Sequence, residues 1–113
     1  MKNISSKEAF DMLANDHKIV LIDVRRQDEW ISGIADIKNV LQITWHQNDE
    51  GFINELQKAI SDQSTTLLFM CKAGIRSAAA ASQSLLFGYK NVYNVLDGFD
   101  GWKNHGFKIK INK

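Results

Sequence analysis

Residues 65–88 have the sequence TTLLFMCKAGIRSAAAASQSLLFG, the pattern of a buried strand, a tight loop and a helix. The apolar run over residues 65–70 has the length of a strand and leads directly into Cys71. Residues 77–87 are rich in alanine, and Gly88 follows them in the position of a left-handed helix cap. The segment therefore predicts one strand–loop–helix unit of a parallel sheet.

The rest of the chain alternates between strand and helix patterns in the same way. Ser5 or Ser6 can cap a helix that runs to about Asn15, with Glu8 placed for a capping box. Residues 19–24 form an apolar run typical of a strand buried on both faces. The other predicted elements are a loop over residues 25–38 with a helical turn around 28–31, a strand around 40–43 and a turn at Asp49, Glu50 and Gly51. After these come a helix carrying Ile53, Leu56 and Ile60, a strand over 91–95 and a helix that starts within residues 98–102.

Length and composition predict a single domain over residues 1–113. The chain is 44% hydrophobic and 24% charged, the balance of a globular protein that closes one core. The predicted order β-α-β-loop-β-α-β-α-β-α is that of an α/β fold with an open parallel sheet and helices on its faces.

Charge and residue usage exclude several classes of function. The formal net charge is +1, so no strong field favours nucleic acid or an anionic membrane, and we expect neither as a partner. No apolar run has the length of a signal h-region or a membrane span, which predicts a cytoplasmic protein. One cysteine excludes an internal disulfide. The three histidines are scattered, so we expect no metal and no cofactor.

Cys71 follows the carboxyl end of a predicted strand, where functional crevices of parallel sheets lie. Gly74 allows the following loop to curl, so that successive N–H groups and the helix dipole surround an anion. A thiolate there would have a lowered pKa, and Lys72 and Arg76 add positive charge nearby. The alternative is an inert cysteine that only packs in the core. The spacing of these residues leaves both possibilities open.

The motif from Leu68 to Ser77, an apolar strand followed by C-x-x-G-x-R-S, resembles the active-site signature of the rhodaneses. Upstream, residues 21–25 (LIDVR) with Glu29-Trp30 and Gly33 are similar to that family's other signature. Downstream, residues 88–92 (GYKNV) and 96–102 (LDGFDGW) are similar to its closing pattern. Two positions depart from the family: Ile34 stands where a histidine is common, and Phe99 follows Gly98 where a second glycine is common.

The resemblance implies a rhodanese-like fold, with five parallel strands and helices on both faces. It implies a sulfurtransferase of the thiosulfate sulfurtransferase type, with Cys71 as the catalytic residue that carries sulfur as a persulfide. Asp23, Arg25 and Glu29 would support the same crevice, although an Arg25–Glu29 ion pair that only fixes the loop is an alternative. The substrate-binding residues would be Lys72, Ala73, Gly74, Ile75, Arg76 and Ser77.

The implied partners are a small sulfur-containing anion as donor and a thiol, cyanide or protein as acceptor. A persulfide carrier that serves one protein partner, with little free turnover, is the main alternative function. Phosphatases with a similar cysteine cradle need C-x5-R, and here Ser77 stands where their arginine would be. We therefore expect no phosphatase activity.

Overall fold

The computed structural model describes residues 1–46 and 50–111, which form a layered α/β structure. Five strands make one parallel sheet in the spatial order β1-β6-β5-β2-β4, and β3 pairs with β7 in a separate antiparallel ribbon. In chain order the elements are β1 (Lys2–Ile4), α1 (Ser6–Asn15), β2 (Val20–Asp23), α2 (Gln27–Trp30), β3 (Ile34–Ala35), β4 (Val40–Gln42), α3 (Glu50–Ala59), β5 (Thr66–Met70), α4 (Ile75–Leu86), β6 (Asn91–Val95), α5 (Gly98–Asn104) and β7 (Ile109–Lys110).

The central strands are buried on both sides, because successive side chains of a strand point to opposite faces. In β5, Leu67 and Phe69 pack into one core cluster, whereas Leu68 and Met70 pack into the other. The first cluster includes apolar side chains of α3 and α4, and the second includes those of α1 and α5. Helices therefore cover both faces, as predicted. Within residues 1–46 and 50–111, no helix is long and apolar enough to cross a membrane.

Most predicted elements occur close to their expected places. The Ser5 hydroxyl and the Glu8 carboxylate form the predicted capping box at α1, and Gly88 has the left-handed φ of +104° that ends α4. The short helix α2 occurs where a helical turn was expected. These features depend on local backbone chemistry, which the sequence shows directly.

Several boundaries differ from the sequence prediction. Helix α4 begins at Ile75, not at Ser77, because Gly74 is its N-cap. The predicted turn is wrong at Glu50 and Gly51, which begin α3, and Asp49 lies outside the described residues. Part of the predicted loop is β3, which pairs with the unanticipated β7 at the far end of the chain. Strand β4 ends at Gln42, one residue earlier than expected.

Candidate active site

Cys71 lies at the carboxyl edge of the sheet, immediately after β5 and before the first turn of α4. Gly74 makes the sharp turn between them, with φ at +92°, a value that other residues rarely adopt. A side chain at this position would also collide with the carbonyl oxygen of Leu96. The turn points the Gly74 N–H at the cysteine, and this group donates a hydrogen bond to Sγ over 3.1 Å.

The start of α5 fixes the outer side of this loop. The Phe99 N–H donates to the Cys71 carbonyl over 2.8 Å, and the Asp100 N–H donates to the Lys72 carbonyl over 3.1 Å. Gly98 has φ at +57°, and a side chain there would collide with both of these carbonyl groups. Two carbonyls of the loop are thus bonded to α5, while N–H groups further along it approach the sulfur.

Burial and hydrogen bonding have opposite effects on the Cys71 thiol. The residue is only 1% exposed, which the sequence did not predict, and burial raises its pKa. The Ser77 hydroxyl and the N–H groups of Ser77, Ala73 and Gly74 lower that pKa by hydrogen bonding. The net result is a thiol pKa below its ordinary value. The expectation that main-chain amides face the sulfur agrees with this geometry.

A chain of polar side chains extends from the sulfur toward the edge of the sheet. The Ser77 Oγ lies 3.3 Å from the Cys71 Sγ and 2.6 Å from Oδ1 of Asn94 on β6. The Asn94 amide nitrogen donates to the Gly74 carbonyl over 3.2 Å and to Oδ1 of Asn3 over 3.1 Å. Ser77 and Asn94 are almost completely buried, so these bonds replace contacts with water.

Arg76 is held by a carboxylate from a distant part of the chain. Its Nη1 and Nη2 donate to the two carboxylate oxygens of Glu29 over 2.6 and 2.8 Å, a bidentate ion pair between α4 and α2. The hydrogen bonds from Arg76 lower the pKa of Glu29 to about 2. The proposed Arg25–Glu29 ion pair is therefore wrong, because the Glu29 carboxylate binds Arg76, and Arg25 reaches only the Glu29 carbonyl.

Asp23 and Arg25 form a second, almost fully buried ion pair at the end of β2. Arg25 Nη2 lies 2.8 Å from Asp23 Oδ2, and the two side chains are 3% and 1% exposed. The Arg25 guanidinium also donates to the Gly33 carbonyl and lies 3.9 Å from the centre of the Phe99 ring. These bonds tie β2, the segment before β3 and α5 together, so the pair has a structural position beside the cysteine loop.

Lys72 lies on the outer surface of the loop. Its Nζ is 3.0 Å from the Asp100 carboxylate, and both side chains are well exposed. Ala73 and Ile75 are exposed as well, whereas Gly74 and Ser77 are buried. Of the predicted binding residues, Gly74 and Ser77 are therefore buried beside the sulfur and the others are partly or fully exposed, although the Ala73 N–H also faces the sulfur.

Trp45 and His46 follow β4. Trp45 is buried and packs its ring edge against Phe52. His46 lines a neighbouring pocket of about 290 Å³ with Trp30 and Glu55, and Cys71 does not line it. Among the described residues, no cluster of three or more His, Cys, Asp or Glu could hold a metal ion.

Sequence reasoning missed Asn94, Asp100 and the contact of α5 with the loop. Asn94 carried a usable signal, because it is a polar residue between Val92 and Val95 in a predicted strand. A buried amide side chain needs hydrogen-bond partners, which points to a neighbouring polar site. Asp100 carried no such signal, since exposed carboxylates are common on short helices.

Comparisons with known proteins agree with the geometry. The model of the rhodanese-like domain matches residues 5–105. A thiosulfate sulfurtransferase of Coxiella burnetii is 34% identical over 112 residues, which cover 99% of this chain and 96% of that protein. An uncharacterized protein of Rickettsia conorii is 36% identical over 106 residues, covering 89% of this chain and 85% of that protein.

Among solved structures, the chain is similar to the polysulfide-sulfur transferase homodimer of Wolinella succinogenes. The two are 30% identical with a TM-score of 0.83, and the match covers 97% of this chain and 78% of the other. The protein Rv0390 of M. tuberculosis is 27% identical with a TM-score of 0.85, with 99% and 98% of the two chains covered.

Proposed function

The chain belongs to the rhodanese-like family of sulfurtransferases, and from this membership we propose that it transfers sulfane sulfur through a persulfide on Cys71. The thiolate attacks the outer sulfur of a donor such as thiosulfate and forms an S–S bond. The donor's own S–S bond breaks, and sulfite leaves with the bonding electron pair. An acceptor such as cyanide or a thiol then attacks the outer sulfur and regenerates the Cys71 thiolate.

The observation that carries this proposal is the set of hydrogen-bond donors around the sulfur. A buried thiol that only packed in the core would have a raised pKa, whereas the pKa of Cys71 is lowered. The Gly74 N–H is 3.1 Å from Sγ, and Ser77 supplies both a hydroxyl and an N–H. Such donors stabilise negative charge on sulfur without having to move during the reaction.

The two cations of the loop contribute differently in this proposal. Lys72 is well exposed and its Nζ is free to leave Asp100, so it attracts an anionic donor toward the loop. Both terminal nitrogens of Arg76 bind the Glu29 carboxylate, so Arg76 acts mainly by holding the first turn of α4 in place. Asp23 and Arg25 are buried, so in our proposal they support the loop without touching the donor.

A protein acceptor is the second candidate, and it is favoured by the surface around the cysteine loop. Ile75 is 82% exposed and Leu96 is 57% exposed, and the Leu96 backbone packs directly against Gly74. Exposed apolar side chains beside a reactive group are typical of a surface that docks another protein. Turnover with thiosulfate and cyanide supports the free enzyme, whereas sulfur transfer only to a protein thiol supports the carrier.

Intact-mass spectrometry tests the persulfide directly. After incubation with thiosulfate or a persulfide donor, we expect the wild-type protein to gain the mass of one sulfur atom and to lose it when cyanide is added. Cys71→Ser removes the nucleophile and should show no gain. Equal labelling of both proteins, or no labelling with any donor, would exclude the proposed mechanism.

A further inference from the structure

The Ser77 hydroxyl has two neighbours but only one proton. Its oxygen is 3.3 Å from the Cys71 Sγ and 2.6 Å from the Asn94 Oδ1. A hydroxyl donates one hydrogen bond and accepts others, so it cannot donate to both neighbours at once. Bonds to sulfur are longer than bonds to oxygen, so both distances are within hydrogen-bonding range and the two acceptors compete for one proton.

The Gly74 carbonyl fixes which end of the Asn94 side chain faces Ser77. This carbonyl can only accept, and it lies 3.2 Å from the Asn94 amide nitrogen. Turning the amide over would place two oxygens against each other and leave Gly74 without this donor. The Asn94 oxygen therefore faces Ser77, and an oxygen there can only accept the hydroxyl proton.

We propose that Asn94 is a positioning residue that competes with the Cys71 sulfur for the single Ser77 hydroxyl proton. When Cys71 is a thiol, its S–H donates to the Ser77 oxygen, and Ser77 donates to Asn94. When Cys71 is a thiolate, Ser77 turns its proton to the sulfur, and the buried Asn94 oxygen loses a donor. Losing that donor has a free-energy cost, so Asn94 opposes ionisation of the cysteine.

The same competition favours the persulfide over the thiolate. This step rests on the proposed function, in which Cys71 carries the transferred sulfur. In a persulfide the negative charge is on the outer sulfur, and Sγ is a neutral atom bonded to carbon and sulfur. Ser77 can then keep its bond to Asn94, while N–H groups of the loop remain available to the outer sulfur. Asn94 thus raises the energy of the thiolate without penalising the loaded state.

The other charged groups near the sulfur already have partners among the described residues, and Asn94 is not one of them. Strand β1 meets Asn94 through the neutral side chain of Asn3. The charged groups from the surrounding elements are Arg76 with Glu29, Asp23 with Arg25, Lys72 with Asp100, and Asp97, which accepts hydrogen bonds from Ser6. A neutral substitution at Asn94 therefore leaves these pairs in place, and it changes the Ser77 proton together with the bonds that Asn94 donates to Gly74 and Asn3.

The test is the pH dependence of Cys71 alkylation by iodoacetamide, which reports the ionisation of the only cysteine in the chain. Asn94→Leu fills the space but offers no acceptor, and we expect the midpoint to move down by about half to one pH unit. Asn94→Asp keeps a strong acceptor and adds a charge, so its midpoint should move up. Asn91→Ala on the same strand is the matched control, because Asn91 is exposed and bonds the Ser64 carbonyl.

A second pair of variants shows whether Asn94 acts through Ser77. In a Ser77→Ala background, Asn94→Leu should no longer move the midpoint, because no shared proton remains. Ser84→Ala, which removes a buried hydroxyl of α4 that bonds the Ala80 carbonyl, controls for the loss of a hydroxyl. An equal shift in both backgrounds, or an upward shift in Asn94→Leu, overturns the proposal. If Asn94→Leu does not fold, Asn94→Asp decides instead: its upward shift should be larger in the wild-type background than in the Ser77→Ala background, and equal shifts overturn the proposal.

Alkylation does not require sulfur transfer, so the two proposals can fail separately. A protein that shows the expected shifts but never gains sulfur would keep the role of Asn94 and lose the proposed function. A protein that gains sulfur but shows no shift would keep the function and lose the role of Asn94.

Discussion

The loops that follow β5 and β2 lie side by side at the same edge of the sheet, yet they are built in opposite ways. The two strands are paired, with Met70 opposite Asp23. After β5, main-chain N–H groups converge on the Cys71 sulfur, and a neutral hydroxyl is shared between two neighbours. After β2, Asp23 and Arg25 bind each other, and Arg25 also donates hydrogen bonds to main-chain carbonyl groups.

Charge near a reactive group does not by itself indicate a chemical role. The loop after β2 has the stronger charges, but they are buried and consumed in an ion pair and in bonds to carbonyl groups. The loop after β5 has weaker donors, but they point at an atom that can gain or lose charge. We therefore expect the chemistry in the loop after β5, whereas the loop after β2 supports the structure.

The largest expected effect comes from removing the buried charge that supports the loops. Arg25→Met leaves Asp23 buried without its cation, and we expect the free energy of unfolding to fall by about 3–5 kcal/mol. Urea denaturation measures this loss. At low temperature, the folded fraction should still gain sulfur from thiosulfate, because Cys71 and its donors remain.

Lys72→Met is the matched control for this substitution. It also removes a cation from an ion pair, but the pair with Asp100 is exposed, so we expect a change of about 0–1 kcal/mol. If Arg25→Met were no less stable than Lys72→Met, the distinction between a supporting loop and a reactive loop would not hold.

For Gly74→Ala we expect a smaller loss of stability, together with a loss of sulfur loading. The alanine must adopt a left-handed backbone conformation, and its Cβ must displace the Leu96 carbonyl, which we expect to cost about 3 kcal/mol. The N–H that faces Sγ would move, so sulfur loading per folded molecule should fall and the alkylation midpoint should rise. Denaturation and mass spectrometry measure the two effects.

Gly106→Ala separates backbone strain from collision. Gly106 also has a left-handed φ of +74°, but a side chain there meets no atom within 4 Å. We expect it to cost about 1 kcal/mol and to leave sulfur loading unchanged. Equal losses of loading in both variants would show that Gly74 has no special part in presenting its N–H group.

The sequence predicted the loop after β5 better than the loop after β2, for a physical reason. The turn at Gly74 and the donors around Cys71 come from consecutive residues, so local backbone rules suffice. The partners of Arg25 and Glu29 depend on which distant segments meet. Glu29 and Arg76 are 47 positions apart, and nothing local distinguishes that partner from Arg25. The β3–β7 ribbon was missed for the same reason.

A smaller effect tests the contact that joins the two loops. Glu29→Gln replaces a bidentate ion pair with weaker neutral hydrogen bonds, and the pair is partly exposed, so we expect a loss of about 1 kcal/mol at neutral pH. The Gln side chain also keeps an acceptor for the N–H of Arg26, the N-cap residue of α2. The change should therefore report the Arg76 contact more than the helix.

The pH dependence of this loss identifies its source. Binding to Arg76 holds the pKa of Glu29 at about 2 in the folded protein, against 4.5 ordinarily. A carboxylate with a depressed folded pKa stabilises the fold fully above its unfolded pKa and loses this effect as the pH falls toward the folded value. The stability difference between wild type and Glu29→Gln should be constant above about pH 5.5 and shrink between pH 4.5 and about 2. A difference that stayed constant across this range would mean that the charge of Glu29 contributes nothing to the contact between the two loops.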